Sequence, residues 1–337
     1  MDYNEIIDIL KNDKKPVIVV FGDFSLDKYL LIDGDKDELS LETDLIAYQV
    51  VGRQLYPGAG GTIANNLLAM GADVSCVGIV GDDGEGYELL EELKKRGADT
   101  SHMVRTNERF TNTYVKPMYH KDEKAKELNR LDIKNFSKTP MHLQESLLKN
   151  LEEILPSVDA VIISDQYTEP DCAAVTGFVQ VGLSKLAEKY SDIIWYADSR
   201  VNINKFKNII LKCNHKEIAQ VFGLDEENIN ESEALKYAEK LYIEGGKPVY
   251  VTLGENGSVL FDGNGYKIPA FKVDGEIDVV GAGDACNAGI VFSLAKGASL
   301  LQAGYTGNAS SSVTIKKIGQ TGTASVDEIT DVLESRL

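Results

Sequence analysis

Short apolar runs rich in β-branched residues recur along the chain: Pro16 to Phe21, Val74 to Val80, Val158 to Ser164, Ile193 to Ala197 and Val249 to Leu253. They are near-continuous rather than alternating, the pattern of strands buried on both faces, as in a parallel sheet covered by helices. Between them, Thr62 to Met70, Gly86 to Arg96, Leu143 to Ile154, Ala173 to Lys189, Glu231 to Glu244 and Ala285 to Lys296 have helical spacing and length. Gly71, Gly97, Gly245 and Gly297 stand where C-terminal caps belong. Alternating strand and helix predict an α/β, doubly wound layer structure. Two segments, about 30–56 and 103–132, break the alternation and carry no helical face; strands such as Ala47 to Val51 and Asn112 to Met118 read as a small β-sheet lid inserted beside the main sheet. No repeat, low-complexity tract or Pro/Ser-rich linker divides the chain, so residues 1–337 are expected to form a single domain.

Charge narrows the choice of partners. Lys and Arg number 35 against 53 Asp and Glu, a formal net charge of −18, which repels phosphate backbones and anionic lipid and argues against nucleic acid or a membrane leaflet as a general partner. The amino terminus is acidic and lacks a basic lead, and no later stretch reaches the roughly 20 apolar residues of a membrane helix. A soluble, cytoplasmic protein is expected. Cys76, Cys172, Cys213 and Cys286 form no CxxC, and the four histidines form no HxxxH, so neither a zinc site nor a disulfide framework is signalled.

Three glycine-rich loops open helices, where free backbone N–H groups and the helix dipole can hold an anion: Gly58-Ala59-Gly60-Gly61, Gly81 to Gly86, and Gly281-Ala282-Gly283-Asp284. None completes GxGxxG in the setting of a dinucleotide fold, and no GxxxxGK[ST] occurs, which disfavours a dehydrogenase and a P-loop nucleotidase. The third loop is bracketed by Asp278 and Asp284. An acid in a first helical turn is commonly a cap; here Gly281, Ala282 and Gly283 also remove side chains where a phosphate would approach, leaving Asp284 as the reactive group. That suits phosphoryl transfer, with amides stabilising charge and the carboxylate accepting a hydroxyl proton. Asp23 and Asp27 follow the first strand, where ligands of open α/β folds bind; they can bond vicinal hydroxyls, or occupy a solvated loop. Asn65, one turn into the helix after Gly60-Gly61, lacks a capping job and is a candidate ligand contact.

Ala59-Gly60-Gly61-Thr62-Ile63-Ala64-Asn65 resembles the first signature of the PfkB-type, ribokinase-like carbohydrate kinases, and Asp278 to Asp284 resembles the second. The resemblance runs from about Pro16 to Ser325. It implies a Rossmann-like, mostly parallel sheet with a small β lid, ATP with Mg²⁺ as phosphoryl donor, and a sugar or nucleoside hydroxyl as acceptor. Within the family, Gly22-Asp23-Phe24-Ser25-Leu26-Asp27-Lys28-Tyr29, Arg109 to Thr113, Arg130-Leu131-Asp132 and Gly319 to Ser325 are similar to the heptose-phosphate kinase domain of lipopolysaccharide-heptose synthesis. Two departures stand out. Gln166-Tyr167-Thr168-Glu169 replaces Tyr-x-Lys-Gly, and Tyr114 and Lys116 replace a Lys and Arg pair, so a basic group for a phosphorylated acceptor is missing.

The resemblance also implies a donor side: Asn214 and Glu217 as an N-x-x-E whose Glu reaches Mg²⁺ through water, Thr252, Gly254 and Gly257 lining the ATP phosphates, and Asn308, in a helix after Gly304, near the adenine. Asp198 and Arg200, at a strand end, join the phosphate-facing candidates. Gly254 to Gly257 equally reads as a hairpin turn. A monovalent cation such as K⁺ near Asp278 and Gly319, and a homodimer through the lid, follow from the same resemblance. The expected arrangement is an ATP-dependent sugar kinase: Asp284 as general base, Gly281, Ala282 and Gly283 with Asp284 forming the anion hole, and Asp23, Asp27, Gly60, Gly61 and Asn65 on the acceptor. Arg53, Arg109, Lys116 and Arg130 are candidates for an acceptor phosphate. A nucleoside kinase and a non-catalytic sugar or nucleotide sensor are the competing readings. No HxGH segment occurs, so a fused nucleotidyltransferase is not expected.

Overall fold

The computed structural model describes residues 1–121, 124–319 and 322–336. Among them, nine strands form one sheet, ordered Val104–Thr106, Asp73–Gly81, Val17–Gly22, Ala160–Asp165, Ile194–Ser199, Ile210–Asn214, Val249–Thr252, Ser258–Phe261, Gly265–Ile268. The first seven run parallel and the last two add an antiparallel hairpin. Helices cover both faces, which is why the central strands are apolar toward both sides up to their carboxyl ends, with Lys212 the exception. One core packs Ile18, Val20 and Ile162 against the helices Gly60–Ala69 and Ala282–Ala295, and the other packs Val19, Phe21 and Ile163 against Met141–Ile154, Gly177–Lys189 and Glu231–Gly245.

A second sheet, ordered Leu131–Ile133, Thr113–Lys121, Phe24–Asp33, Val50–Ala59, carries Lys124–Glu127 on its Thr113–Lys121 strand; between Phe24–Asp33 and Val50–Ala59 in the chain, Glu38–Leu39 and Ile46–Ala47 pair as a separate small hairpin of two-residue strands. Its bounds differ from the expected 30–56 and 103–132. It starts at Phe24, six residues earlier, because Asp23 alone separates Val17–Gly22 from Phe24–Asp33; and Val104–Thr106 joins the main sheet beside Asp73–Gly81. Val50–Ala59 in turn runs directly into the helix Gly60–Ala69. The two sheets are thus joined at one seam, where Phe24 pairs with Ala59 and the Gly60 N–H donates to the Asp23 carbonyl at 2.8 Å.

Several elements escape hydrophobic periodicity. Ile210–Asn214 is interrupted by Lys212; the helix around Asn308 spans Leu300–Thr314 and buries Gly304, Thr306, Gly307, Asn308, Ser310 and Ser312. Small and polar residues stand there because this helix packs closely on Ala282–Ala295: a Cβ on Gly289 would lie 2.3 Å from Ser310 Oγ. The segment expected to be helical from Ala173 begins its helix at Gly177, after an irregular stretch. Gly71, Gly97 and Gly297 do have positive φ at helix ends, whereas Gly245 is the last helical residue and Gly246, at φ +76°, is the cap.

Gly22 ends the first strand with φ +129°, and a Cβ there would lie 2.2 Å from the Ser164 carbonyl oxygen of the adjoining strand. Gly22→Ala is expected to destabilise the protein by at least about 2 kcal/mol through strain and overpacking. An unchanged midpoint in chemical denaturation would contradict this.

Candidate active site

The carboxyl ends of the parallel strands meet the second sheet around a cavity of about 310 Å³, within the range of small-molecule sites. Of the expected site residues, Asp23, Asp27, Arg130, Gly281 and Asp284 line it; Gly60, Gly61 and Asn65 do not. Gly60 and Gly61 lie beneath the wall, where a Cβ on Gly61 would lie 2.4 Å from Pro57 Cβ. Asn65 Oδ1 is buried without a partner elsewhere on the helix, while its neighbour Asn66 accepts from Ala324 N–H at 3.0 Å. Ala59, on the wall, has φ +52°, which costs a non-glycine residue on the order of 1–3 kcal/mol and lets the chain turn from sheet to helix at the cavity.

Asp23 is buried, with Oδ2 accepting from Gln166 and Tyr167 N–H (2.9 and 3.2 Å) and Oδ1 from Ala174 N–H (3.0 Å). Burial pushes its acid up to about 6 against those three bonds. It therefore holds the 166–174 loop in place besides facing the cavity. Asp27 pairs with Lys116 at 3.2 Å, and Arg130 forks onto Asp132 at 2.7 and 2.8 Å. Arg53 pairs with Glu88, and the buried Arg109 donates to the carbonyls of Ser137 and Cys172, so neither they nor Lys116 lines this cavity.

The turn before Ala282–Ala295 differs in detail from expectation. Gly281, at φ +79°, is the N-cap, and the helix begins at Ala282 rather than Ala285, which places Asp284 at the third helical position. Ala282 N–H donates to the Val279 carbonyl at 3.2 Å. The N–H groups left free for an anion are accordingly those of Gly283 and Asp284, unbonded among the described residues, and Ala282 drops out of that set. Asp284 is half-buried; burial, then the Asp198 carboxylate, push its acid up to about 7, against the pull of Lys212 and Arg200.

Beneath the turn lies a cation that motif reading missed. Lys212 is buried in the strand Ile210–Asn214, 3.4 Å from Asp198 Oδ2, and its Nζ is 3.5 Å from where a Cβ on Gly283 would lie. Asn287 donates to the same Asp198 oxygen at 2.6 Å and accepts from the Tyr196 hydroxyl at 2.9 Å. Burial works against the Lys212 charge, and Asp198, then Glu217, more than offset it and hold the amine above its ordinary range. A lysine inside the run Ile209 to Cys213 was the sequence signal. Asp198 Oδ1 remains buried without a partner.

On the donor side, Asn214 and Glu217 form a capping box: Asn214 Oδ1 accepts from Glu217 N–H at 2.9 Å and Glu217 Oε2 from Asn214 N–H at 2.7 Å. Burial, then Asp198, raise the Glu217 acid. Thr252 ends its strand, and Gly254 (φ +60°) and Gly257 (φ +87°) form the hairpin turn to Ser258–Phe261. Asn308 accepts from Ser258 Oγ and donates to the Ile268 and Pro269 carbonyls, so its side chain ties two elements together. These residues lie off the first cavity; their neighbours His215, Leu253 and Asn256 line a second of about 570 Å³. Asp278 accepts from Val280 and Gly319 N–H at 3.0 and 3.3 Å, which brings the two regions named for a monovalent cation together; Gln320 and Thr321 of the closing segment lie outside the described residues. No group of three His, Cys, Asp or Glu is placed to hold a metal among the described residues, and no helix of the described residues is long and apolar enough to cross a membrane.

A mostly parallel sheet covered by helices, a second sheet beside it and a helix N-terminus at the cavity between them define an α/β fold with a ligand-sized site where the two sheets meet. The pfkB family carbohydrate kinase profile matches residues 17–327, and the chain belongs to that family. Curated relatives include the bifunctional protein HldE of Nitratiruptor sp., 27% identical over 322 residues, and that of Coxiella burnetii, 29% over 326 residues; each match covers 94% of this chain and 64% and 63% of the relative. The chain therefore spans a little under two thirds of the length of these relatives. Among solved structures, Arabidopsis thaliana ribokinase complexed with ribose and ATP superposes with a TM-score of 0.70 at 18% identity, covering 95% of this chain and 99% of the other. Phosphofructokinase-2 from Escherichia coli in complex with potassium gives 0.72 at 18%, covering 96% and 99%. These likenesses share the fold.

Lys212→Met removes the buried partner of Asp198 and is expected to cost about 3–5 kcal/mol in denaturant unfolding. A loss below 1 kcal/mol would show that the pair carries no such constraint.

Proposed function

We propose that the chain transfers the γ-phosphoryl group of ATP to a hydroxyl of a sugar or sugar phosphate held between the two sheets. Asp284 carries this reading: it is the carboxylate that both lines the cavity and belongs to the helix turn bearing free N–H groups. In the proposed reaction the acceptor hydroxyl gives its proton to Asp284 as its oxygen attacks, and the Gly283 and Asp284 N–H groups, with Lys212 behind them, stabilise the transferring charge. Asp27 and Asp23 orient the acceptor hydroxyls, with Arg130 at the rim. The acids at the donor edge fit Mg²⁺ brought with ATP: Asp198 offers an unpartnered oxygen and Glu217 stands near it, so these two would hold the ion through water, where it neutralises phosphate charge. Closing the second sheet over the acceptor would exclude water as a competing acceptor.

The proposal includes a homodimer through the second sheet. Leu39, Leu41, Ile46 and Val51 are 67, 101, 53 and 58% exposed on its hairpin and edge, an apolar surface that a second copy of the same patch would cover.

Asp284→Asn is expected to keep nucleotide binding and lose about 10²–10⁴-fold in kcat. Because the base must be ionised to work, wild-type kcat/KM should rise with pH, reach half its plateau near pH 7, and fall about tenfold per unit well below it. Near wild-type turnover in the variant, or a rate independent of pH from 5 to 8, would remove Asp284 from the mechanism. Leu41→Glu with Val51→Glu is expected to turn a dimer into a monomer in analytical ultracentrifugation; a monomeric wild type would refute the interface.

A further inference from the structure

The cavity wall carries three basic side chains, but little free positive charge. The Arg130 guanidinium is forked onto Asp132 and lies 4.9 Å over the ring of Tyr114. Lys134 Nζ is 3.6 Å from Glu169 and 5.8 Å from the ring centroid of Tyr167. Arg200 donates through Nε to Gln166 Oε1 at 2.9 Å and, among the described residues, has no carboxylate within 4 Å; its charge pulls on Asp284, at the proposed transfer end, and on Asp23 and Tyr114 as well. A phosphate on the acceptor is best held by several cations whose charge is not already answered by carboxylates. Arg200 alone meets that requirement here; at Arg130 and Lys134 an incoming phosphate would meet Asp132 and Glu169 as well as their partners.

One of the wall residues, Tyr167, carries an unanswered hydroxyl just beneath the surface. Tyr167 is 7% exposed, and its phenolic oxygen is buried with no hydrogen-bond partner. Burial keeps the phenol protonated, so it remains a donor. An orphan polar group of this kind destabilises the free protein and is satisfied when a ligand oxygen reaches it. The loop that carries it is fixed from below by Asp23, which accepts from Gln166 and Tyr167 N–H, so the hydroxyl is presented by a held backbone.

We propose that Tyr167 is a specificity-determining residue whose hydroxyl bonds an uncharged hydroxyl of the acceptor, so that the substrate class is a free sugar or polyol rather than a sugar phosphate. The inference rests on the kinase reading above. Glu169 contributes by keeping Lys134 neutralised, and Tyr167 by rewarding a neutral oxygen at that point of the wall.

The test is ADP release by the full chain with Mg²⁺ and ATP over a panel of free sugars, polyols and their monophosphates. The expected result is a kcat/KM for the best free acceptor at least about tenfold above that of its own monophosphate. Tyr167→Phe should raise the acceptor KM about tenfold or more, leave the ATP KM unchanged, and leave Tm unchanged or higher, because it deletes an orphan hydroxyl. Glu169→Gln should shift the ratio several-fold toward the monophosphate by freeing Lys134. A wild type that prefers the monophosphate, or a Tyr167→Phe variant with an unaltered acceptor KM, overturns the inference and leaves the kinase reading standing. A Tyr167→Phe variant with a lowered Tm and a raised KM for both substrates assigns Tyr167 a structural role and also overturns it. No ADP from any acceptor sinks the kinase reading, and this inference with it.

Discussion

Lys212 and Asp198 face each other from paired positions on adjacent strands, almost wholly out of water, and the donor end of the molecule is arranged around them. Desolvating two charges is costly, and the pair is helped by Asn287, which is held by the Tyr196 hydroxyl and donates to the Asp198 oxygen that faces Lys212. What the arrangement supplies is position. A positive charge is fixed beneath Gly283, so the helix dipole, two free N–H groups and a lysine all act on the same small region of space. Lys212 also draws the Asp284 acid down against burial and Asp198, which push it up. The outcome is a carboxylate poised near neutrality beside the free N–H groups of a helix N-terminus.

The acceptor end follows from how the two sheets are joined. Asp23 is the sole residue between a strand of one and a strand of the other, and its side chain holds the 166–174 loop while its carbonyl receives the first N–H of the helix Gly60–Ala69. Gly22 and Ala59, both with positive φ, are the bends that let the chain cross. At Ala59, a non-glycine residue, that bend places backbone strain on the cavity wall, and the cores on either face of the main sheet stabilise it.

Much of this architecture was legible in the amino-acid sequence because buried parallel strands read as continuous apolar runs, and because glycines at helix ends mark turns. The Gly281 to Asp284 segment was found for a physical reason: small residues beside one acid at a helix start. Other features were hidden. Lys212 stands within a strand-like run and gains meaning only through Asp198, which lies 14 positions earlier in sequence and opposite it in register. The helix Leu300–Thr314 packs by small residues and shows no apolar face. Side chains picked out by motif have partners that no local pattern announces: Asn308 ties two elements together, Asn214 caps its own helix, and Arg109 serves two carbonyls. Side-chain partnership across the chain is a tertiary property, and no local pattern encodes it.

The central claim is that the turn opening Ala282–Ala295 receives the terminal phosphate and presents Asp284 to an alcohol. A crystal structure with a non-hydrolysable ATP analogue tests it most directly. The expected result places an oxygen of the terminal phosphate within about 3 Å of the Gly283 and Asp284 N–H groups, with the Asp284 carboxylate facing the cavity between the sheets. A nucleotide bound with its terminal phosphate away from that turn would contradict the account.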